Sequence, residues 1–150
     1  MIQSAEDSPP VEILLVEDNP GDHRLTKEAL HEGKVYNNLH WVKDGVEALE
    51  FIHCTGTYSE RGRRHPKLIL LDIKMPRMDG IDVLKRLKSD ESTRMIPVVM
   101  LTSSAEERDV VESYRVGVNS YLVKPVDFGE FVEVVAHAGL FWALMNKVPS

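Results

Sequence analysis

The chain has 150 residues, 43% of them hydrophobic and 28% charged, with a formal net charge of -6. That length holds one domain around one core, the composition is that of a folding globular chain, and the acidic balance speaks against a general nucleic-acid binder, which needs surplus Lys and Arg to displace phosphate counterions. The single Cys54 excludes an intramolecular disulfide and a cysteine-based metal site, and no apolar run approaches the ~18 residues of a membrane span, so a cytoplasmic protein without membrane contact is expected.

Residues 1–10 are acidic and Pro-containing and read as a disordered tail; residues 11–150 read as one domain. "VEILLVED" is apolar on both faces and suits a buried parallel strand that ends in Glu17 and Asp18. "NPGDHRLTKEALHEG" opens with Pro20, carries Leu25, Ala29 and Leu30 at helical spacing and closes on Gly33. The alternation continues with "LHWVKD" and "GVEALEFIH", "LILLD" and "GIDVLKRLKSD", "IPVVMLTSS" and "EERDVVESYRVG", then "NSYLVKPV" and a long final helix from Asp127 to about Asn146. Strands alternating with helices require right-handed crossovers, so the expected fold is α/β: a doubly wound, five-stranded parallel sheet covered by five helices. The long connection from Cys54 to Pro66 holds "RGRRH", a solvated loop or a contact for phosphate or an acidic partner. Cys54 itself reads as a small apolar side chain.

In open parallel sheets ligands bind beyond the carboxyl ends of the strands. Polar residues stand where each apolar run gives out: Glu17 and Asp18, Asp72, Thr102 and Lys124. A single acidic residue at a strand end often only starts a turn or caps a helix, but five such positions on one rim point to a site. Three carboxylates gathered there repel one another unless a cation sits between them, and hard oxygen ligands suit Mg2+ better than zinc. Lys124 adds a fixed cation and Thr102 a hydroxyl, both suited to holding phosphoryl oxygens. Asp72 is the best-placed nucleophile, since a carboxylate forms an acyl phosphate once the incoming charge is neutralised.

Taken together, Glu17-Asp18, "LLDIKMPRMDG", "LTSS" and "YLVKP" resemble the motif set of response-regulator receiver domains, in the chemotaxis-like single-domain form, across nearly the whole chain. The resemblance implies a flavodoxin-like sheet of order 2-1-3-4-5. It also implies that Asp72 accepts a phosphoryl group from a histidine kinase, that Asp18 and Asp72 bind Mg2+ with the backbone carbonyl of Lys74, and that Glu17 helps through water. Lys124 and Thr102 would hold the phosphoryl oxygens, Thr102 and Tyr121 would form the switch pair, Lys74 and Ser104 would tune acyl-phosphate hydrolysis, and the Lys124-Pro125 peptide would be cis. In that reading the chain is no enzyme beyond its own phosphorylation and dephosphorylation.

The last helix carries Phe131, Val132, Val134, Val135, Leu140, Phe141, Trp142, Leu144 and Met145, more apolar residues than one sheet-covering stripe needs. A homodimer through Phe131, Phe141 and Trp142 is therefore expected, or a helix end folded back on its own domain. "TGTYSERGRRHPK" and "FWALMNKVP" look like the small receivers that partner phytochrome histidine kinases of cyanobacteria and other bacteria. Two other classes compete. A metal-dependent aspartyl phosphatase of the haloacid-dehalogenase type needs a second Asp two positions after the first, where this chain has Lys74. A receiver-like interaction module that is not phosphorylated loses the Asp or the Lys, and both are present.

Overall fold

Five short runs rich in Val, Ile and Leu form the sheet of the computed structural model, which describes residues 11–32, 38–61, 65–103, 120–137 and 139. The strands are β1 (Val11–Val16), β2 (Asn38–Val42), β3 (Leu68–Asp72), β4 (Val98–Thr102) and β5 (Ser120–Val123); the helices are α1 (Pro20–Glu32), α2 (Gly45–His53), α3 (Gly80–Ser89) and α4 (Phe128–His137). All strand pairs are parallel and the order is β2-β1-β3-β4-β5, the doubly wound arrangement expected from the alternating pattern. Four α-helices lie among the described residues; the segment expected to form a further helix, 106–117, lies outside them, as do the tail and residues 140–150.

Strand residues alternate between two cores. Leu14, Val16, Ile69, Leu71, Val98 and Met100 point to the side covered by α2 and α3, where they meet Phe51, Ile52, Val83, Leu84 and Leu87. Ile13, Leu15, Leu68, Leu70, Val99 and Leu101 point to the other, where Leu30 of α1 and Phe131 and Val135 of α4 cover them. β1, β3 and β4 are thus apolar on both faces because both faces are roofed, and each buried Leu or Ile adds about 1.5–3 kcal/mol of hydrophobic stabilisation.

The helix starts are fixed by side chains. Asp44 accepts from the Glu47 N–H at 2.8 Å and Asp79 from the Asp82 N–H at 2.9 Å. Asp44 also holds Arg77, whose Nη2 lies 2.8 Å and Nε 3.1 Å from Oδ2. Arg77 sits at φ 68° in the loop between β3 and α3, a left-handed conformation that its fork-shaped contact with Asp44 ties down.

Gly80, in that same loop, is a residue type able to take backbone conformations closed to others. Its role is instead one of space: a Cβ there would lie 2.1 Å from the carbonyl oxygen of Asp72, and the Gly80 N–H donates to the Ile73 carbonyl at 2.7 Å. The positive φ belongs to Arg77.

Candidate functional site

β1, β3 and β5 deliver their last residues to one rim. Asp72 ends β3, backbone-paired opposite Leu101, and is 6% exposed. Glu17 follows β1 with its N–H on the Val42 carbonyl and no side-chain exposure. Its own carbonyl accepts from the Trp41 indole at 2.6 Å, and its carboxylate from the Asn19 N–H at 3.2 Å. Lys124 follows β5, anchored by an N–H bond to the Thr102 carbonyl at 2.8 Å, and the Lys124-Pro125 peptide is cis.

The Lys124 ammonium stands among three carboxylates: 2.9 Å from Asp22 Oδ2, 3.1 Å from Glu17 Oε1 and 3.3 Å from Asp72 Oδ1. A cavity of about 320 Å³ opens over it, and its charged lining residues are Glu17, Asp18, Asp22, Asp72, Lys74 and Lys124. Four carboxylates therefore face two lysines, which leaves the pocket short of positive charge.

The titration behaviour reflects burial first and this charge balance second. Burial pushes Glu17 up to about 7, the charge of Asp72 adds to the rise, and Lys124 works against it. Burial also raises Asp72, opposed by Lys124 and by a hydrogen bond with Glu17. Burial disfavours the Lys124 ammonium, but its bond to Asp22 and the charges of Asp72 and Glu17 outweigh that and hold its pKa above the ordinary lysine value.

Glu17, Asp18 and Asp72 each offer a carboxylate oxygen within 4.8 Å of the others. The donors are all hard oxygens, two of the three residues are buried, and Asp18 is exposed toward the pocket, so the set fits one divalent cation with room for water. Such an ion would relieve the repulsion that raises Glu17 and Asp72.

Thr102 is fully buried, and its Oγ1 has no hydrogen-bond partner among the described residues. Tyr121 is in register with Met100, two residues before Thr102, so Tyr121 and Thr102 stand on the same face of the sheet, as a switch pair requires. Lys74 is exposed at the pocket mouth. Ser104, Phe141 and Trp142 lie outside the described residues.

Phe131 is a correction. It was expected at a subunit interface, but it is 0% exposed and packs in the core shared by β1, β3, β4 and β5, so it presents no surface to a partner. Within the described part of α4 the apolar residues Phe128, Phe131, Val134 and Val135 form the one stripe that covers the sheet. Asp22 was not foreseen. In the sequence it is an acidic residue in the first turn of a helix, a common and favourable position. The available signal was that this turn begins at the same rim as the end of β1.

An acidic, cation-seeking pocket around one lysine, at the carboxyl ends of a sheet of order 2-1-3-4-5, defines a doubly wound domain whose polar site lies at the strand ends. Comparison with known proteins makes this specific. Residues 13–136 match the model of the response regulator receiver domain. The chain is 40% identical over 147 residues to response regulator Rcp1 of Synechocystis sp., covering 98% of this chain and 99% of that protein. Among solved structures it resembles the bacteriophytochrome response regulator AtBRR, with a TM-score of 0.84 and 46% identity over 93% of this chain and 100% of that one. It also resembles the phosphorylated cyanobacterial phytochrome response regulator RcpA, with a TM-score of 0.72 and 38% identity over 94% and 99%. The chain belongs to the response regulator receiver domain family.

Proposed function

We propose that this receiver is a phosphorylation switch in which Asp72 takes a phosphoryl group from a phosphohistidine of a phytochrome-type histidine kinase in the cytoplasm. The observation that carries the reading is the position of Lys124, 3.3 Å from Asp72 inside the cation-seeking pocket. The names of the similar proteins, phytochrome response regulators among them, support the choice of kinase.

In this reading an Asp72 carboxylate oxygen bonds to phosphorus as the bond from phosphorus to the donor imidazole nitrogen breaks; the imidazole keeps that electron pair and takes up a proton. Lys124 meets the charge on the transferring oxygens, and the hydroxyl of Thr102, which has no partner among the described residues, supplies a further donor once it turns toward them. Mg2+ would be held by Asp18, Asp72, the Lys74 carbonyl and, through water, Glu17, and would supply neutralisation of the negative charge that gathers there. Thr102 and Tyr121 report the change on the α2 and α3 side of the sheet. Lys74 and Ser104 tune the lifetime of the acyl phosphate, and the protein acts on no other substrate. Output passes through a homodimer formed by the segment that holds Phe141 and Trp142; light scattering at micromolar concentration tests this, and monomer alone with and without beryllofluoride rejects it.

Incubation with Mg2+ and acetyl phosphate, followed by intact mass, tests the reading. A single phosphoryl adduct that disappears in Asp72→Asn is expected. Steady release of phosphate from varied monoesters, without an adduct, would show an aspartyl phosphatase instead.

A further inference from the structure

Asp22 makes the shortest of the three contacts of Lys124, at 2.9 Å, yet it is not one of the carboxylates whose oxygens converge on a common cation position. Those are Glu17, Asp18 and Asp72, and Lys124 is in contact with two of them. Of the three donors of the ammonium group, one goes to Asp22 and one to Glu17, while Asp72 Oδ1 stands 3.3 Å away as an ion-pair partner. An anion that enters the pocket must therefore share the lysine with these carboxylates, and a cation must share the carboxylates with the lysine. Asp22 lies on the wet side of it, with its side chain 33% exposed against 0% for Glu17 and 8% for Asp72.

We infer that Asp22 is a positioning residue that draws the Lys124 ammonium toward the pocket mouth, which keeps Glu17 and Asp72 open to a divalent cation but competes with a phosphoryl group for the same lysine. The inference rests on the phosphoacceptor reading for its second half only. Without the Asp22 carboxylate, Lys124 turns its freed donor inward to Glu17 and Asp72, and a cation must displace it. Once a cation occupies those carboxylates, the same freed donor faces the phosphoryl oxygens, in a pocket with one negative charge fewer. Loss of Asp22 therefore acts with opposite sign on the two ligands.

The helix start does not depend on the side chain in question, since it is the backbone N–H of Asp22 that donates to Asn19 Oδ1, at 3.0 Å. Asp22→Asn and Asp22→Ala should therefore both fold. Calorimetric titration with Mg2+ alone, and with beryllofluoride at saturating Mg2+, is the test. For a half-exposed ion pair the expected size is about threefold: Mg2+ binding weaker and beryllofluoride binding tighter in both variants, with Asp22→Glu restoring both toward wild type. Affinities that fall together, or that do not move, overturn the role assigned to Asp22. A wild type that binds Mg2+ but takes up no beryllofluoride overturns the phosphoacceptor reading, and the Mg2+ comparison then decides the role of Asp22 by itself.

Discussion

Lys124 Nζ lies 3.3 Å from Asp72 Oδ1, and this one contact brings the end of β5 to the end of β3 across the intervening β4. The lysine side chain is 12% exposed, and the two carboxylates it shares with the cation position are buried. Lys124→Met leaves Glu17 and Asp72 without that counter-charge. The variant should lose about 1–3 kcal/mol of stability at neutral pH in the presence of a chelator, since the burial is partial and the pocket is wet. Mg2+ should then stabilise it by more than it stabilises wild type, because the ion no longer competes with the ammonium. Urea denaturation with chelator and with Mg2+ gives both numbers; equal Mg2+ effects in the two proteins would mean that Lys124 does not compete at this site.

Two buried threonines offer an internal comparison. The Thr93 hydroxyl donates to the Leu87 carbonyl at 2.8 Å, whereas Thr102 Oγ1 has no partner among the described residues. Thr→Val keeps the shape and removes the hydroxyl. Thr93→Val should cost about 1 kcal/mol, and Thr102→Val should be neutral or stabilise by up to about 1 kcal/mol, because it deletes an unpaired polar group. The same Thr102→Val change should weaken beryllofluoride binding. A site that keeps a costly group for a later task behaves in this way.

Legibility in the sequence followed the strength of the burial signal. "LILLD" is buried at every position, so its apolar run both identified β3 and placed Asp72 at its end. The same logic located Glu17, Thr102 and Lys124. Asp22 escaped because a carboxylate in a first helical turn is explained by the helix alone, and its partner Lys124 comes from a distant part of the chain. Phe131 misled for a related reason. Apolar count cannot say which residues of a helix face the sheet, and Phe131 faces it fully. The strained Arg77 was also hidden, since the contact that holds it comes from Asp44, at the start of a different helix.

Gly80 and Gly129 separate crowding from flexibility. A Cβ on Gly80 would lie 2.1 Å from the Asp72 carbonyl oxygen, which backbone cannot relieve without moving the end of β3. A Cβ on Gly129 would meet, among the described residues, the Asp127 carboxylate at 3.1 Å, the end of a side chain that can shift by a few tenths of an ångström, roughly, and still accept from the Glu130 N–H, now at 3.0 Å. Gly80→Ala should therefore destabilise by about 1–3 kcal/mol or more and lower the yield of phosphoryl adduct from acetyl phosphate. Gly129→Ala, in the first turn of α4, should be neutral or stabilise by a few tenths of a kcal/mol, roughly. Thermal melts and intact mass on the two variants check the contrast; similar melting points would mean that the close approach at Gly80 relaxes freely.

His40 gives the fold an acid-sensitive element away from the pocket. Its ring stacks on Phe51 at 4.4 Å and meets the edge of Tyr58 at 5.7 Å. Burial lowers its pKa below the usual 6.5, the charge of Arg61 lowers it further, and Glu47, which accepts from the Tyr58 hydroxyl at 2.6 Å, opposes them. The folded chain thus binds the His40 proton less readily than the unfolded chain does. The corresponding stability is complete above pH 6.5 and is lost as pH falls through the lower folded value. His40→Phe keeps a ring against Phe51 and removes the titration, so its stability should fall less than that of wild type between pH 7.5 and 5.5. Urea midpoints at the two pH values measure the difference, and parallel losses in both proteins would assign the acid sensitivity to other groups.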